Sequence, residues 1–294
     1  MENILEIKNL SKGYSDFSLE DVNINLEKGF IMGFIGPNGA GKTTTIKLIM
    51  NLIKRNSGEI KIFGLDNING EKEVKNRIGF VYDECNFYDN LTLRENAELI
   101  ADFYNKWSWN DFDRYMTRFG LNSKQNMKLK EMSKGMKTKF FIATSLSHDA
   151  ELLIMDEPTS GLDPVSRQEI INVLQEYIED GNRSILFSTH ILSDIEKMAD
   201  YITFINKGKI VFSDEKTLIE EKYRILKGGL DILDNAEKKD FIEIKKNKFG
   251  FSALVMNSPM LREKYGNEVV IDRPSIEDIM LYIAGEKIEG EENE

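Results

Sequence analysis

The stretch Gly36-Pro37-Asn38-Gly39-Ala40-Gly41-Lys42-Thr43-Thr44 decides how this chain folds, because it matches the phosphate-binding loop pattern in full. An apolar run over residues 30–35 precedes it and apolar residues at helical spacing follow it. It therefore lies between a predicted strand and a predicted helix, as that pattern requires. A glycine-rich turn without a ligand would explain the glycines but not the Lys-Thr pair directly after them.

The residue types of this loop suit a polyphosphate. Glycines let the backbone turn its N–H groups toward phosphate oxygens, and the start of the following helix adds the positive end of its dipole. Lys42 is expected to neutralise charge on the β- and γ-phosphates, and Thr43 to offer its hydroxyl to Mg²⁺. The predicted nucleotide contacts are Gly36, Pro37, Asn38, Gly39, Ala40, Gly41, Lys42, Thr43 and Thr44.

A second motif, residues 152–157, is an apolar run that ends in the adjacent carboxylates Asp156 and Glu157. We expect Asp156 to hold Mg²⁺ through water. Glu157 is expected to polarise the water that attacks the γ-phosphate, because that attack needs a base within hydrogen-bond reach. The alternative is an acidic cap at a strand-to-turn junction. The position after the phosphate loop, and the sequence Pro-Thr-Ser-Gly-Leu-Asp that follows, favour the catalytic interpretation.

Strand-type and helix-type patterns alternate along the first three quarters of the chain. Strand-type runs occupy residues 4–10, 22–26, 30–35, 59–63, 78–82, 151–156, 184–188, 201–205 and 209–212. The helix after the phosphate loop is predicted to carry one apolar face made of Ile46, Ile49, Met50 and Ile53. We therefore predict an α/β fold with a parallel sheet covered on both faces.

Two further regions have a different character. Residues 88–147 are helical in pattern and are predicted to form a helical subdomain. Residues 223–285 are predicted to form a small C-terminal α+β accessory domain, which ends in a helix over 275–284 that Pro274 precedes. This domain is expected either to stabilise a dimer or regulate activity, or simply to extend the core. Residues 286–294 are acidic, lack an apolar face and are expected to be a disordered tail.

The composition excludes several classes of protein. The 294 residues are 41% apolar, enough for a sizeable core, and a net charge of -11 argues against a nucleic-acid partner. The single cysteine, Cys85, fits a reducing cytosol and offers no thiolate metal site. No secretory pattern opens the chain, and no apolar run approaches the roughly 20 residues of a membrane span. If the protein serves a membrane, another chain must cross it.

In this order and at these separations, the motifs of residues 4–212 resemble those of the ABC ATPase family. The resemblance implies a P-loop NTPase core of the ABC cassette type, residues 1–222, with the helical subdomain inserted in it. It implies that Tyr14 stacks on adenine and that the loop from Ser160 to Asp163 contacts nucleotide. It also implies that His190 contacts the γ-phosphate, although a lone histidine after a strand is more often a local hydrogen-bond partner.

The family's signature peptide, Leu-Ser-Gly-Gly-Gln, appears here as residues 132–136, Met-Ser-Lys-Gly-Met. Ser133 and Gly135 keep the hydroxyl and the close backbone approach that would bind the γ-phosphate held by a second subunit. Lys134 adds a cation to this set of nucleotide contacts. The variant resembles that of ATPases paired with the ABC-2 type of permease, many of them exporters.

A second departure lies at Asp83, where the family usually carries a glutamine near the metal and the lytic water. An aspartate there is expected to reach Mg²⁺ through water, although the alignment could also favour Glu84. The loop around Asp83 is one that meets the permease in this family. Residues 273–280 look like a tail segment common in ABC-2 ATPases.

The resemblance implies an ATP-hydrolysing subunit that uses ATP and Mg²⁺, with Glu157, His190 and Lys42 as the catalytic set. Because one chain holds only one set of motifs, two cassettes would form a head-to-tail dimer, either a homodimer or a heterodimer with a second ABC ATPase. The partner would be an integral-membrane permease, so the chain would lie on the cytoplasmic face of the cell membrane. The alternatives are a soluble permease-free ABC ATPase such as an assembly factor, a module that senses ATP without hydrolysis, and an ordinary P-loop kinase or GTPase.

Overall fold

The structure is a computed structural model that describes residues 2–82, 87–234, 240–266 and 268–283. The chain divides into two compact units, Met1–Ser213 and Asp214–Glu294. The expected positions of Asp83, Glu84 and Cys85 and of the acidic tail fall outside the described residues. Within the described ranges, no helix combines the length and the apolar character needed to cross a bilayer.

The first unit contains two sheets. Its strands are β1 Asn3–Gly13, β2 Ser18–Glu27, β3 Ile31–Ile35, β4 Ser57–Ile62, β5 Leu65–Asp66, β6 Ile78–Val81, β7 Leu152–Asp156, β8 Ser184–Thr189, β9 Tyr201–Asn206 and β10 Lys209–Glu215. One sheet is antiparallel with the order β2-β1-β4-β5. The other has the order β10-β9-β3-β8-β7-β6, and β9, β3, β8, β7 and β6 run parallel. The predicted α/β fold with a parallel sheet is confirmed.

Helices connect and cover these strands. They are α1 Lys42–Ile49, α2 Glu71–Asn76, α3 Leu93–Ala101, α4 Trp109–Arg118, α5 Lys134–Leu146, α6 Pro164–Ile178 and α7 Leu192–Met198. Helix α1 ends earlier than its apolar pattern predicts, because Asn51 takes the left-handed backbone conformation with φ 52°. Ile53, beyond this end, still packs on the same core.

The helical segment between β6 and β7 has strong start signals. Thr92 and Glu95 form a reciprocal capping box at the start of α3, and the Ser108 side chain caps α4. Phe112 of α4 and Phe140 of α5 are fully buried, with their ring centroids 6.4 Å apart in an edge-to-face arrangement. These two aromatic residues therefore pack the interior of the segment.

The register of the parallel sheet positions the site. Strands β3, β7 and β8 are buried along their whole length, as their continuous apolar sequences predict. Ile35 pairs with Thr189, and Asp156 pairs with Ser188, so these three strands end at one edge. Ligands of such sheets bind at the carboxyl ends of the strands.

The second unit is a four-stranded antiparallel sheet with helices. Its elements are α8 Lys216–Lys222, β11 Tyr223–Gly228, α9 Leu230–Asp234, β12 Glu243–Asn247, β13 Gly250–Met256, α10 Met260–Tyr265, β14 Val270–Asp272 and α11 Ile276–Ile283. The strand order is β12-β13-β11-β14. Leu226, Phe251, Val255 and Leu261 form the centre of its own core. Helix α11 lies where the sequence predicts a final helix.

Candidate active site

The phosphate loop joins β3 to α1 in a conformation that glycine makes possible. Gly39 and Gly41 have φ values of 76° and 116°, a region that other residues rarely adopt. A side chain at Gly36 would place its Cβ 2.3 Å from the carbonyl oxygen of Ile205. No side chain in the described structure caps the first amide groups of α1, and its first turn carries no acidic residue. The loop therefore leaves backbone donors at a helix start, which fits a phosphate group.

Lys42 is buried beside this loop. Its Nζ donates to the carbonyl oxygens of Gly36, at 2.7 Å, and Pro37, at 3.3 Å, and lies 3.6 Å from Oε1 of Glu157. The ammonium group is thus held over the loop and against the second carboxylate of β7. A phosphate that enters the loop would take the place of these contacts.

Thr43 and Asp156 meet although 113 residues separate them in the chain. The Thr43 hydroxyl donates to Oδ2 of Asp156 at 2.7 Å, and Ser188 Oγ donates to the other carboxylate oxygen at 2.5 Å. A hydroxyl and one carboxylate fit Mg²⁺, which keeps several waters and takes its remaining ligands from substrate phosphates. The described residues contain no group of three or more His, Cys, Asp or Glu side chains that could hold a metal without such phosphates.

Glu157 and His190 form the second pair of the site. Nδ1 of His190 lies 2.8 Å from Oε2 of Glu157. The Glu157 backbone is in the left-handed region, with φ 50°, and its N–H donates to both the carbonyl oxygen and the hydroxyl of Ser188, each at 3.1 Å. Such a conformation costs on the order of 1–3 kcal/mol in a residue other than glycine. It directs the Glu157 carboxylate between Lys42 and His190.

Tyr14 lies near the phosphate loop. Its side chain is half exposed, and its ring centroid lies 6.5 Å from that of Phe17. Phe17 Cζ in turn lies 3.0 Å from the point where a Cβ on Gly41 would sit. Sequence reasoning missed Phe17, although a second aromatic residue three positions after Tyr14 is a signal for such a pair.

The signature peptide opens α5. Ser133 caps this helix, because its Oγ accepts from the N–H of Met136 at 3.3 Å. Gly135 faces Leu162 and Ser166, which lie 3.6 and 3.7 Å from the point where its Cβ would sit. Helix α5 therefore begins beside the start of α6 in the same chain.

Asp163 caps α6. Its carboxylate accepts from the N–H groups of Val165 and Ser166, both at 3.0 Å. The hydrogen bond from the Ser166 backbone, with further hydrogen bonds around it, lowers the pKa of Asp163 below its usual range. The Asp163 carboxylate therefore caps the start of its own helix, and its contact with nucleotide stays a prediction.

A cavity of 320 Å³ brings the signature segment and the carboxylates together within one chain. Its walls include Lys134 and Lys137 from α5 and Asp156 and Glu157 from the end of β7. Lys134 also approaches Gly161, with its Nζ 3.4 Å from the point where a Cβ would sit. No sequence pattern predicts that these lysines line the same cavity as the carboxylates of their own chain.

The structure thus brings together Lys42, Thr43, Asp156, Glu157 and His190 at one edge of the parallel sheet. Ser133 and Gly135 lie instead at the start of α5, beside α6. The Mg²⁺ role expected of Asp83 falls outside the described residues and stays a prediction.

The chain matches known proteins over most of its length. The family described as ABC transporter matches residues 19–160. The bacitracin transport ATP-binding protein BcrA of Bacillus licheniformis is 40% identical over 212 residues, which cover 72% of this chain and 69% of that protein. The lantibiotic transport ATP-binding protein SrtF of Streptococcus pyogenes is 36% identical over 213 residues, 72% of this chain and 91% of that one.

Similarity also extends over nearly the whole chain and to a solved structure. The ABC transporter ATP-binding protein YhcH of Bacillus subtilis is 30% identical over 298 residues, with 97% of each chain covered. A solved ATP-binding subunit of an ABC transporter has 32% identity and a TM-score of 0.68, over 74% of this chain and 92% of that one. With the phosphate loop, the carboxylate pair and His190 assembled as described, these matches identify the chain as a member of the ABC transporter family, an ATP-binding subunit with ATPase activity.

Proposed function

We propose that this ATPase drives a separate membrane permease through a cycle in which two cassettes bind ATP between them and hydrolyse it. The observation that carries the proposal is the convergence of Lys42, the Thr43–Asp156 pair and the Glu157–His190 pair at one sheet edge. Each of these groups lies where a phosphate at the start of α1 would meet it.

Binding of the triphosphate would begin with an exchange of partners at Lys42. Its Nζ now contacts the carbonyl oxygens of Gly36 and Pro37 and the Glu157 carboxylate. Phosphate oxygens are stronger partners for an ammonium group than neutral carbonyls are. Once Lys42 turns to the phosphates, Glu157 loses a cationic neighbour and becomes available to accept a hydrogen bond from water.

Hydrolysis then depends on four side chains, those of Thr43, Asp156, Glu157 and His190. Mg²⁺, held by Thr43 and through water by Asp156, would supply charge neutralisation at the phosphate oxygens. Glu157 accepts a proton from the attacking water, and His190, 2.8 Å from it, orients the carboxylate and contacts the γ-phosphate. Tyr14 stacks on adenine from its half-exposed position.

A second cassette would complete the site. Ser133, Lys134 and Gly135 lie at the start of α5, where the amide groups and the positive end of the helix dipole suit the γ-phosphate of a facing cassette. Two such chains, or this chain and a paralogue, would enclose two ATP molecules. Hydrolysis would remove the γ-phosphate contacts and release the pair.

An apolar groove in the first unit supports a permease partner. The groove has a volume of 530 Å³, and its lining includes the exposed side chains of Leu52, Tyr88 and Phe103. Phe103 keeps 77% of its surface exposed, and clustered exposure of this kind is typical of a binding surface. An apolar helix of the permease fits such a groove. The chain would then lie on the cytoplasmic face of the cell membrane.

We prefer the hypothesis that the chain drives a permease to the hypothesis that it is a soluble assembly factor. The apolar groove and the relatives named for transport both support this preference. Relatives named for bacitracin and lantibiotic transport make peptide antibiotics the first class of cargo to test. The signature variant, which resembles that of ABC-2 ATPases, favours export.

Glu157→Gln tests the catalytic part of the proposal. The variant should bind ATP, form an ATP-dependent dimer in size-exclusion chromatography and hydrolyse ATP roughly 100-fold or more slowly. Glu179→Gln, an exposed acid at the end of α6, is the matched control and should hydrolyse at the unmodified rate. Unchanged hydrolysis by Glu157→Gln would remove this residue from the base role.

A further inference from the structure

A buried carboxylate joins the segment after His190 to the loop after Glu157. Asp194 lies in α7 with no exposed surface, and its Oδ2 accepts a hydrogen bond from the Thr159 hydroxyl at 2.6 Å. Thr159 is itself 3% exposed. This buried contact therefore links helix α7 to the loop after Glu157, between residues 35 positions apart in the chain.

The other carboxylate oxygen of Asp194, Oδ1, is buried and lacks a hydrogen bond from the described residues. Neither its Oδ1 nor Nε of Arg167 has a hydrogen-bond partner among the residues that the structure describes, and the two atoms lie 3.9 Å apart. This distance is too long for a hydrogen bond, for which 2.7–3.2 Å is typical. Buried polar atoms are nearly always paired, and a half-satisfied buried ion pair contributes little to stability. The Asp194–Arg167 pair is therefore expected to have a role other than stabilising the fold.

The three members of this link each lie on a segment that carries a site residue. Thr159 lies two residues after Glu157, and Asp194 lies four residues after His190. Arg167 lies in the first turns of α6, and its N–H donates to the carbonyl oxygen of Asp163 at 3.0 Å. The Thr159–Asp194 hydrogen bond thus connects the backbone segments of Glu157 and His190, and Arg167 brings the segment of Asp163 within 3.9 Å of the same carboxylate.

His190 needs such an anchor more than its neighbours do. Its side chain is 50% exposed, whereas that of Glu157 is 19% exposed. The His190 ring therefore gains limited support from packing. Its position relative to Glu157 depends on the backbone that follows it, where Asp194 is fixed to Thr159.

We propose that Asp194 is a positioning residue. Its hydrogen bond to Thr159 fixes the distance between the segment of His190 and the loop after Glu157. It acts through His190 and does not contact substrate. The proposal rests on the proposed catalytic role of His190. Arg167 of α6 neutralises the charge of the buried Asp194 carboxylate. The start of α6 is therefore held near Asp194 as well.

Kinetics of two variants test this role. Thr159→Val removes the side-chain hydroxyl and keeps the shape of the side chain. Asp194→Asn removes the negative charge that faces Arg167. Each should lower kcat about tenfold with KM for ATP changed less than about twofold, because a small displacement of His190 affects the chemical step. Thr159→Ser keeps the hydroxyl and should stay within about twofold of the unmodified kcat.

The same substitutions in a His190→Ala background separate positioning from general damage. If Asp194 acts through His190, Thr159→Val and Asp194→Asn should lower kcat less than about twofold in that background. An equal loss in both backgrounds would mean that the two residues act independently of His190, and the proposal would be wrong.

Nuclear magnetic resonance gives a readout that does not depend on activity. The chain has two histidines, His148 and His190, so ¹⁵N-histidine labelling gives signals from two rings. Thr159→Val should shift the His190 ring nitrogens, because its 2.8 Å contact with Glu157 changes, and should leave those of His148 in place.

Asp200→Asn is the control, because Asp200 lies two residues after the end of α7 and accepts from the N–H of Ile31 at 2.9 Å. This variant should leave the His190 signals unchanged. Unchanged His190 signals in both Thr159→Val and Asp194→Asn would overturn the proposal. If His190→Ala alone keeps full kcat, the catalytic role of His190 fails, and the resonance shifts still decide whether Asp194 positions the ring.

Discussion

Lys42 Nζ lies 3.6 Å from Oε1 of Glu157, so the lysine of the phosphate loop contacts the carboxylate proposed as the base. His190 contacts the other oxygen of the same carboxylate at 2.8 Å. The Glu157 carboxylate therefore contacts both Lys42 and His190. ATP would compete for the first of these and leave the second in place.

Lys42→Ala should lose nucleotide affinity by roughly 10-fold or more, because a buried cation that faces the phosphates is removed. Titration with a fluorescent ATP analogue measures the effect. Lys54→Ala, an exposed lysine beyond the end of α1, is the control and should bind like the unmodified protein. Undiminished binding by Lys42→Ala would contradict the assignment of the loop.

Thr43→Val should raise the Mg²⁺ concentration needed for half-maximal ATP hydrolysis, because a hydroxyl that lies 2.7 Å from Asp156 is lost. Thr43→Ser keeps the hydroxyl and should behave like the unmodified chain. A Mg²⁺ titration at saturating ATP compares the three proteins. Identical titration curves for all three would place the metal elsewhere.

Stability should depend on pH through His148. This ring is stacked on Tyr104 at 3.7 Å, and burial lowers the pKa of His148 from 6.5 to about 4. The unfolded chain therefore binds a proton on His148 between pH 6.5 and 4 that the folded chain does not bind. It follows that stability falls as the pH falls through this range, by about 2 kcal/mol from this group between pH 7 and 5.

His148→Phe keeps an aromatic ring against Tyr104 and removes the titrating group. Urea unfolding at pH 7 and pH 5, followed by fluorescence of the two tryptophans, Trp107 and Trp109, measures the difference between the variant and the unmodified protein. The variant should lose about 2 kcal/mol less on acidification. An equal loss in both proteins would show that His148 contributes nothing to acid sensitivity.

Much of this site could be predicted from the sequence, because the residues concerned are adjacent in the chain. The phosphate loop and the Asp156–Glu157 pair each follow a continuous apolar strand, and parallel strands end at one edge. The end of α1 was predicted less well, since periodicity alone does not reveal that Asn51 adopts a left-handed conformation.

Contacts between distant segments could not be predicted in the same way. The link from Thr159 to Asp194 joins residues that have no shared pattern, and Asp194 reads in the sequence as one acid of an amphipathic helix. The left-handed conformation of Glu157 likewise depends on Ser188 of the neighbouring strand. Such features arise from tertiary packing, which no local pattern encodes.

Phe103→Glu should weaken the association with a permease, because it places a charge in the apolar groove. ATP hydrolysis by the isolated chain should stay unchanged, since neither Lys42 nor Glu157 lines the groove. Phe249→Glu, at a side chain that is 86% exposed in the second unit, is the matched control and should associate normally. Equal recovery of the permease with both variants would contradict a docking role for the groove.

The most direct test is to tag this chain, purify it from its own cells in mild detergent and identify its companions by mass spectrometry. We expect a protein with several membrane spans to purify with it. The complex should hydrolyse ATP, and the same complex made with the Glu157→Gln variant should lose that activity. Recovery with soluble proteins alone, and none from the membrane fraction, would contradict the permease role and favour the permease-free ATPase.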